Sequence, residues 1–330
     1  MFRKKQRNTR QSCRTTIKTI KMSNDLRIVY FGTPDFAVEG LKVLIENNYH
    51  IVGVITAPDK PAGRGKKISE SAIKKYAKSV NLKVLQPANL KSDEFVNQLK
   101  SLNANLQIVV AFRMLPEIVW NMPKLGTFNL HASLLPQYRG AAPINWVIIN
   151  GEEKTGVTTF FLQHEIDTGN IILQEEVEIT ESDNAETLHD KLMTLGGSVI
   201  LKTVKQIESG NISSTPQKNI ENLKLAPKIF KSDTEINWDN STEYIYNFIR
   251  GLSPYPASWT KINGKFLKIY ETEKDFYENS ENEVLTDNNS FLKIKTNDGY
   301  ISLKSVQLEG KKRMNISAFL RGYNQIITHL

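Results

Sequence analysis

Asn129 and His131 stand two apart in the phrase TFNLHASLLPQYRGAAPIN (127–145), and Asp167 follows 36 residues after His131 in HEIDTG. Residue types at this spacing point to chemistry at a carbonyl. The run around Asn129 is strand-like, and alternate strand residues share a face, so the amide and the imidazole can enter one pocket. An Asn amide donates a hydrogen bond without titrating, and a His can donate a proton near neutral pH. Together they can hold the oxyanion that forms when an amine attacks a carbonyl. Asp167 sits in a Gly-bearing turn between strand-like runs 155–163 and 171–179, where loops above a rigid sheet often carry functional groups. Its carboxylate can orient His131 or accept the amine's proton through a water. Taken singly, each residue has an ordinary structural explanation: a turn cap, a satisfied core histidine, a turn aspartate. No nucleophile of the Ser-His-Asp kind stands out, because Ser133 lacks the G-x-S-x-G context. Direct transfer between two bound substrates therefore fits better than a covalent intermediate.

The elements that must position these groups alternate strand and helix. Residues 26–31 form a first strand, followed by Gly32-Thr33-Pro34, with Thr33 as N-cap and Pro34 at the first helical position. Apolar residues 36, 37, 41, 44 and 45 then recur at helical spacing. Strand-like 50–56, helix-like 69–80, strand-like 83–86, helix-like 92–102 and strand-like 106–111 follow. This order predicts a Rossmann-like, mostly parallel sheet with helices on both faces. The G-x-G-x-x-G fingerprint is absent after the first strand, which excludes a nicotinamide reading. A long amphipathic helix is predicted over 184–209, capped by Asn184 and ended by Gly210. NISSTPQ (211–217) reads as a linker. Beyond it a short helix, 241–250, leads to short strands with hairpin signals at Asn263-Gly264 and Asn297-Asp298-Gly299. That texture predicts a small OB-like β-barrel. Residues 271–290, acidic and Asn-rich, read as an exposed loop. The division is thus a basic extension (1–21), a catalytic domain (22–210), a linker (211–217) and a C-terminal domain (218–330).

The chain has 330 residues, 40% hydrophobic and 24% charged, which describes a globular protein with room for two domains. No apolar run reaches the roughly 20 residues that span a membrane. The single cysteine, Cys13, allows no intrachain disulfide and no Cys-based metal site, and the five histidines form no metal-binding pair. A reducing, cytoplasmic setting is expected. Eight of the 43 basic residues lie in 1–21, which holds no acid; the remaining 35 face 35 acidic residues, so the folded body is formally neutral. The extension reads as a disordered or mis-assigned start, with an organellar transit peptide and an RNA-binding arm as the alternatives.

The stretch NLHASLLPQYRGAAPI, followed by DTG, resembles the formyltetrahydrofolate-dependent transferase and hydrolase family. The resemblance implies that Asn129, His131 and Asp167 are the catalytic trio. It also implies that Ser133, Leu134, Leu135 and Pro136 line the folate site, with N10-formyltetrahydrofolate as co-substrate and no metal. Within this family, the segment TAPDKPAGRGKKISESAIKK (56–75) is similar to a loop of methionyl-tRNA formyltransferases. It implies contact with the acceptor end of an initiator methionyl-tRNA by Arg64, flanked by Lys66 and Lys67. Residues 60–78 hold seven basic residues against Glu70, which suits phosphate contact or simply a solvated loop. The C-terminal region, 212–330, holds 16 basic and 14 acidic residues, with Lys311, Lys312 and Arg313 as its densest cluster. The resemblance implies that it binds tRNA; Lys261, Lys265 and Lys268, interleaved with Trp259, Phe266 and Tyr270, suit RNA backbone and stacking contacts, while each aromatic taken singly reads as barrel core.

One segment departs from the family pattern V-V-A-Y-G-x-I-L-P: here it is VVAFRMLP (109–116), one residue shorter, which leaves the contacts of Phe112 and Arg113 open. Glu165 also stands where small or apolar residues are common. The resemblance covers residues 22–330 and implies formyl transfer to the amino group of methionine on initiator methionyl-tRNA, by a monomer. The alternatives are transfer to a small amine such as a sugar nucleotide, hydrolysis to formate, and a non-catalytic tRNA-binding protein.

Overall fold

The computed structural model describes residues 26–62, 67–276 and 281–323. The expected basic extension, Arg64 and Lys66 lie outside the described residues. Along the first part of the chain run β1 (Arg27–Gly32), α1 (Phe36–Glu46), β2 (His50–Ile55), β3 (Lys60–Ala62), β4 (Lys67–Ser69), α2 (Ala72–Ser79), β5 (Val84–Leu85), α3 (Asp93–Ser101) and β6 (Leu106–Val110). Then follow α4 (Glu117–Trp120), β7 (Thr127–His131), β8 (Arg139–Gly140), α5 (Pro143–Ile149), β9 (Lys154–Phe161), β10 (Ile171–Glu178) and α6 (Ala185–Glu208). Seven strands form one sheet in the order β10-β9-β7-β6-β1-β2-β5, parallel from β7 to β5 and antiparallel at β9 and β10. This is the mostly parallel, Rossmann-like sheet that the sequence predicts.

Central strand β1 is buried along almost its whole length because both of its faces are covered. Ile28 and Tyr30 pack on the side of α1 and α6, while Val29 and Phe31 pack on the side of α3. The chain lays down β2 and β5 on one side of β1, then returns to add β6 and β7 on the other. The carboxyl ends of β1 and β6 therefore diverge, and such a switch point leaves a crevice.

Local details refine several expectations. The cap of α1 is Asp35, whose carboxylate accepts from the Phe36 N–H, two residues later than the predicted Thr33. The predicted helix 69–80 starts only at Ala72, because residues 60–62 and 67–69 pair as an antiparallel hairpin. Asn184 caps α6 as expected, in a capping box with Thr187.

The remaining elements are β11 (Leu225–Ala226), α7 (Thr242–Leu252), β12 (Ser258–Ile262), β13 (Lys265–Asp275), β14 (Val284–Thr286), β15 (Leu292–Lys295), β16 (Tyr300–Leu308), β17 (Met314–Asn315) and α8 (Ile316–Gly322). Strands β12 to β17 form an antiparallel sheet over a core that includes Ile269, Ile301, Leu303 and Phe319. Asn263 and Gly264 both have positive φ, the two-residue hairpin that their sequence announces. Register shifts at Ile269/Glu271 and Glu271/Thr272 bend β13, as bulges do in small curled sheets. Of the expected loop over 271–290, residues 271–275 end β13 and 284–286 form β14, residues 277–280 lie outside the described residues, and the rest belongs to no strand or helix. The surface polarity of this stretch concealed two edge-pairing segments. Helix α8 has no counterpart in the sequence reading, since its apolar stripe is only two turns long.

The two sheets are joined by α5 packed on α7, where Ile149 enters the C-terminal core and Asn145 Nδ2 donates to Gly251 O (2.8 Å), and by the turn that Asp183 holds. The buried Asp183 carboxylate accepts from Thr180 N (2.7 Å), Thr180 Oγ1 (2.8 Å), Thr187 Oγ1 (2.9 Å) and Lys191 Nζ (2.6 Å). From α7, Arg250 Nη1 donates to the carbonyls of Thr180 and Asp183 at 3.0 and 2.8 Å. Burial alone pushes the Asp183 carboxyl up, but the hydrogen bonds from Lys191 and the two threonines outweigh it and hold the group at about 2. A carboxyl depressed on folding contributes stability above its unfolded value, near 4, and loses it as pH falls toward 2. Asp183→Asn should therefore cost about 1–2 kcal/mol at neutral pH, after allowance for solvent screening. Urea unfolding of wild type and variant should show that gap at pH 7 and a narrower one at pH 3; equal gaps would mean that the charge is not its source.

Candidate active site

His131 is the last residue of β7, and Asn129 precedes it by two. Phe128 and Leu130 pack into the core on the α6 side, so Asn129 and His131 take the opposite face. His131 is buried, and its Nε2 lies 2.8 Å from the carbonyl oxygen of Tyr138. A carbonyl only accepts, so Nε2 carries a proton. Nδ1 is the nitrogen left for chemistry, and it stands 3.9 Å from Asp167 Oδ2. That separation exceeds a hydrogen bond, so the carboxylate acts on the ring through charge. Contacts of this kind are often long without substrate and tighten with it. The ring is thus oriented by Tyr138, not by Asp167, the partner that the sequence suggests.

Residues 132–138 form the turn that brings Tyr138 back under the imidazole. Ser133 Oγ donates to Gln137 O (2.7 Å), and Thr158 Oγ1 donates to Ser133 O (2.6 Å). Leu135 N donates to Thr158 Oγ1 (3.1 Å), while Gln174 Nε2 holds Leu135 O (2.8 Å). The Leu135–Pro136 peptide is cis. Ser133 and Leu135 are buried and Leu134 and Pro136 half-buried, and none of the four is among the residues that line the cleft described below. Tyr138 itself is buried, and its hydroxyl bonds to Glu152 and Asn150. Burial, reinforced by Glu152, pushes that hydroxyl well above the ordinary tyrosine value, so it stays neutral.

Asp167 adopts the left-handed region (φ 55°), which Asp tolerates better than most residues. Its Oδ2 accepts from Gly140 N at 3.1 Å. Its carbonyl accepts from Gln217 Nε2 at 2.8 Å, and the same amide reaches Gly169 O at 2.9 Å. Gln217 Oε1 in turn accepts from Arg139 Nε (3.0 Å) and Nη2 (2.5 Å). A Cβ at Gly169 would lie 1.6 Å from the Phe161 carbonyl oxygen, so the third residue of the DTG turn admits no side chain. The sequence reading missed Tyr138 and Gln217. Tyr138 serves through its backbone carbonyl, which has no residue-type signature, and Gln217 lies 50 residues from Asp167 in a polar stretch.

A cleft of ≈ 480 Å³ opens at the carboxyl edge of β1, β6 and β7, lined in part by Phe36, Phe112, His131, Pro143 and His189. Asn129 and Asp167 are not in its lining. Asn129 Oδ1 is buried and has no hydrogen-bond partner among the described residues, an orphan that an incoming N–H donor would satisfy. The VVAFRMLP segment runs beside this cleft. Phe112 lines it and packs edge-on against Phe31, with centroids 5.5 Å apart. Arg113 turns the other way, donating to Ala88 O (3.0 Å) and Pro87 O (2.5 Å), on the wall of a second cleft of ≈ 620 Å³ that also carries Lys91 and Met114.

Among the basic residues singled out in the sequence, Arg64 and Lys66 lie outside the described residues. Lys67 belongs to β4. Lys311, Lys312 and Arg313 are exposed in the turn between β16 and β17. Arg313 is tied to Glu271 (2.5 Å) and Ser305 (2.8 Å) and sits 4.5 Å over the Tyr270 ring. Among the described residues, no helix is long and apolar enough to cross a membrane, and no cluster of three His, Cys, Asp or Glu could hold a metal ion.

Residues 26–204 match the family model described as formyl transferase, and residues 228–324 match that of the formyl transferase C-terminal domain. A methionyl-tRNA formyltransferase of Parabacteroides distasonis is 55% identical over 92% of this chain and 97% of its own length. One from Phocaeicola vulgatus is 57% identical over 91% of this chain and 96% of its own. Among solved structures, WlaRD, a sugar 3N-formyl transferase crystallised with dTDP and 5-N-formyl-THF, superposes with a TM-score of 0.65 at 24% identity, over 87% of this chain and 99% of its own; at that identity the likeness concerns the fold. With both domain models matched and relatives above 50% identity along nearly the whole length, the chain belongs to the formyl transferase family.

Proposed function

We propose that this protein transfers the formyl group of N10-formyltetrahydrofolate to the amino group of methionine on initiator methionyl-tRNA, the step that readies this tRNA for translation initiation. The observation that supports the reading is the 3.9 Å approach of Asp167 to His131, a residue of the switch-point cleft, with the unpartnered Asn129 two residues before it on the same strand, in a chain whose relatives bear that name along nearly their full length. The two clefts that flank residues 111–116 suit a reaction between two separately bound substrates. The proposal places the protein in the cytoplasm as a monomer.

The chemistry follows from the atoms available. The amine attacks as free base, and negative charge develops on the formyl oxygen. Asn129 Nδ2 and a protonated His131 Nδ1 donate to that oxygen. Tyr138 O fixes the ring while this happens. Asn129 Oδ1 is free to accept from the attacking amine and so to align its lone pair. Asp167 takes the amine's proton through water. His131 returns a proton to the departing N10. Holding both substrates in register supplies a large share of the rate.

Purified protein mixed with N10-formyltetrahydrofolate and methionine-charged initiator tRNA should yield formyl-methionine, with none from uncharged tRNA. Formate in place of formyl-methionine would sink the reading in favour of a hydrolase. His131→Ala and Asn129→Ala should each lower kcat by on the order of 100- to 1000-fold, the usual cost of one oxyanion donor. Near-normal turnover of either variant would remove it from the mechanism. Gln217→Ala removes the donor that holds the Asp167 backbone and should lower kcat about tenfold with little change in KM for tRNA; equal effects on both constants would mean that Gln217 serves binding instead.

A further inference from the structure

The carbonyl that holds His131 belongs to a residue in a costly conformation. Tyr138 has φ 60°, in the left-handed region, where a bulky side chain is rarely found. Such a conformation persists only where the surroundings over-determine it. A Tyr138 relaxed to ordinary backbone would rotate its peptide and turn the carbonyl away from the imidazole. Three features of Tyr138 oppose that rotation. Its ring is buried in the core of the catalytic sheet. Its N–H donates to Lys224 O at 2.6 Å. Its hydroxyl, which burial keeps protonated, donates to Glu152 Oε1 and accepts from Asn150 Nδ2 at 3.2 Å.

Glu152 and Lys224 fix each other in turn. Lys224 Nζ donates to the same Glu152 Oε1 at 2.6 Å, and Lys224 N donates to Gln137 Oε1 at 2.7 Å. Gln137, Tyr138, Glu152 and Lys224 thus close a ring of bonds below His131, through the turn before β9 and the residue before β11. Lys224 is exposed and Glu152 half-exposed, and an ion pair so placed contributes little to folding. Neither lines the cleft at His131. Their place in the molecule is explained instead by what they hold. Resting on the reading that His131 acts in formyl transfer, we propose that Glu152 and Lys224 are positioning residues: through the hydroxyl and N–H of Tyr138 they keep its carbonyl on Nε2 of His131, and so leave Nδ1 for the formyl oxygen. Lys224 lies in the connecting segment rather than in the catalytic sheet, so the seating of that segment sets the state of the imidazole.

The test combines turnover with the nitrogen resonances of the imidazole in the full chain labelled with ¹⁵N-histidine. At about pH 9, well above the ordinary histidine range, wild type should show His131 as the Nε2–H tautomer, assigned by its loss in His131→Ala. Glu152→Ala should lower kcat roughly tenfold, leave KM for both substrates unchanged, and convert the His131 signals to a mixture of tautomers. Tyr138→Phe, which keeps the ring, should do the same, and the double variant should lose no more than either alone, as residues acting as one unit do. Glu152→Gln retains an acceptor for the hydroxyl and should recover most of the turnover. Glu153→Ala, which removes the adjacent exposed carboxylate, should behave as wild type. Wild-type turnover in Glu152→Ala would refute the proposal. So would a loss of kcat with the tautomer unchanged, or a loss carried by KM. If wild type itself transfers no formyl group, the functional reading falls, and the tautomer comparison alone decides whether Glu152 and Tyr138 set the ring.

Discussion

A buried imidazole has two nitrogens and can work only if one of them is committed to its scaffold. In this protein the Tyr138 carbonyl holds Nε2 of His131, and every other feature of the site answers to that bond. It sets the tautomer and leaves Nδ1 facing Asp167. It also demands that the chain leave β7, turn, and come back within seven residues. The hydroxyls of Ser133 and Thr158 and the amide of Gln174 close that turn from inside. A turn with this many internal bonds is a rigid support, and rigidity is what an oxyanion site needs, because its donors must already point where charge will appear.

The second support comes from the far side of the chain. After α6 the backbone does not leave directly for the C-terminal sheet. Thr215 pairs with Ile171, Gln217 holds Asp167 and Gly169, and Leu225–Ala226 adds a parallel strand to Arg139–Gly140. A Cβ at Gly140 would lie 2.3 Å from Ala226 O, so this approach is as close as a backbone allows. The connecting segment therefore staples the two loops that carry His131 and Asp167. Anchoring of the C-terminal sheet, through Arg250 on the Thr180–Asp183 turn, and the geometry of the trio share one length of chain.

What the sequence made legible follows from what has a local signature. Period-two and helical patterning located β1, β2, β6, β7 and α6, and Asn263-Gly264 named its own hairpin. The trio was visible because its residue types are rare in combination, and the fixed spacing of Asn129 and His131 along a strand needs no tertiary information. The β3–β4 hairpin was hidden because short, charged strands have little apolar period to detect. The end of β13 and β14 were hidden because their outward faces are acidic and Asn-rich. Tyr138 and Gln217 were hidden for a different reason: one acts through its backbone, the other across 50 residues. The Ser133–Pro136 segment shows the converse. Its resemblance to a ligand-lining motif is plain in sequence, whereas the bonds by which Ser133 Oγ and the Ser133 and Leu135 backbone support the turn below His131 have no signature there.

Net charge is the property that the whole sequence states most misleadingly. The body beyond residue 21 is formally neutral, yet neutrality by count is compatible with segregation in space. On the C-terminal sheet, Lys274, Lys293, Lys295, Lys304 and Arg313 are each matched to a carboxylate. Lys231 and Lys261 are not; they hold their ammonium groups over the half-buried Phe266 ring, while Lys268 donates to the Pro256 carbonyl. Paired charges contribute little field beyond their own neighbourhood, whereas bare ones sum. A polyanion approaching a neutral protein would be drawn to such unpaired cations rather than to the paired ones. The attraction is short-ranged at physiological salt, on the order of 8 Å, so it selects orientation more than it speeds encounter.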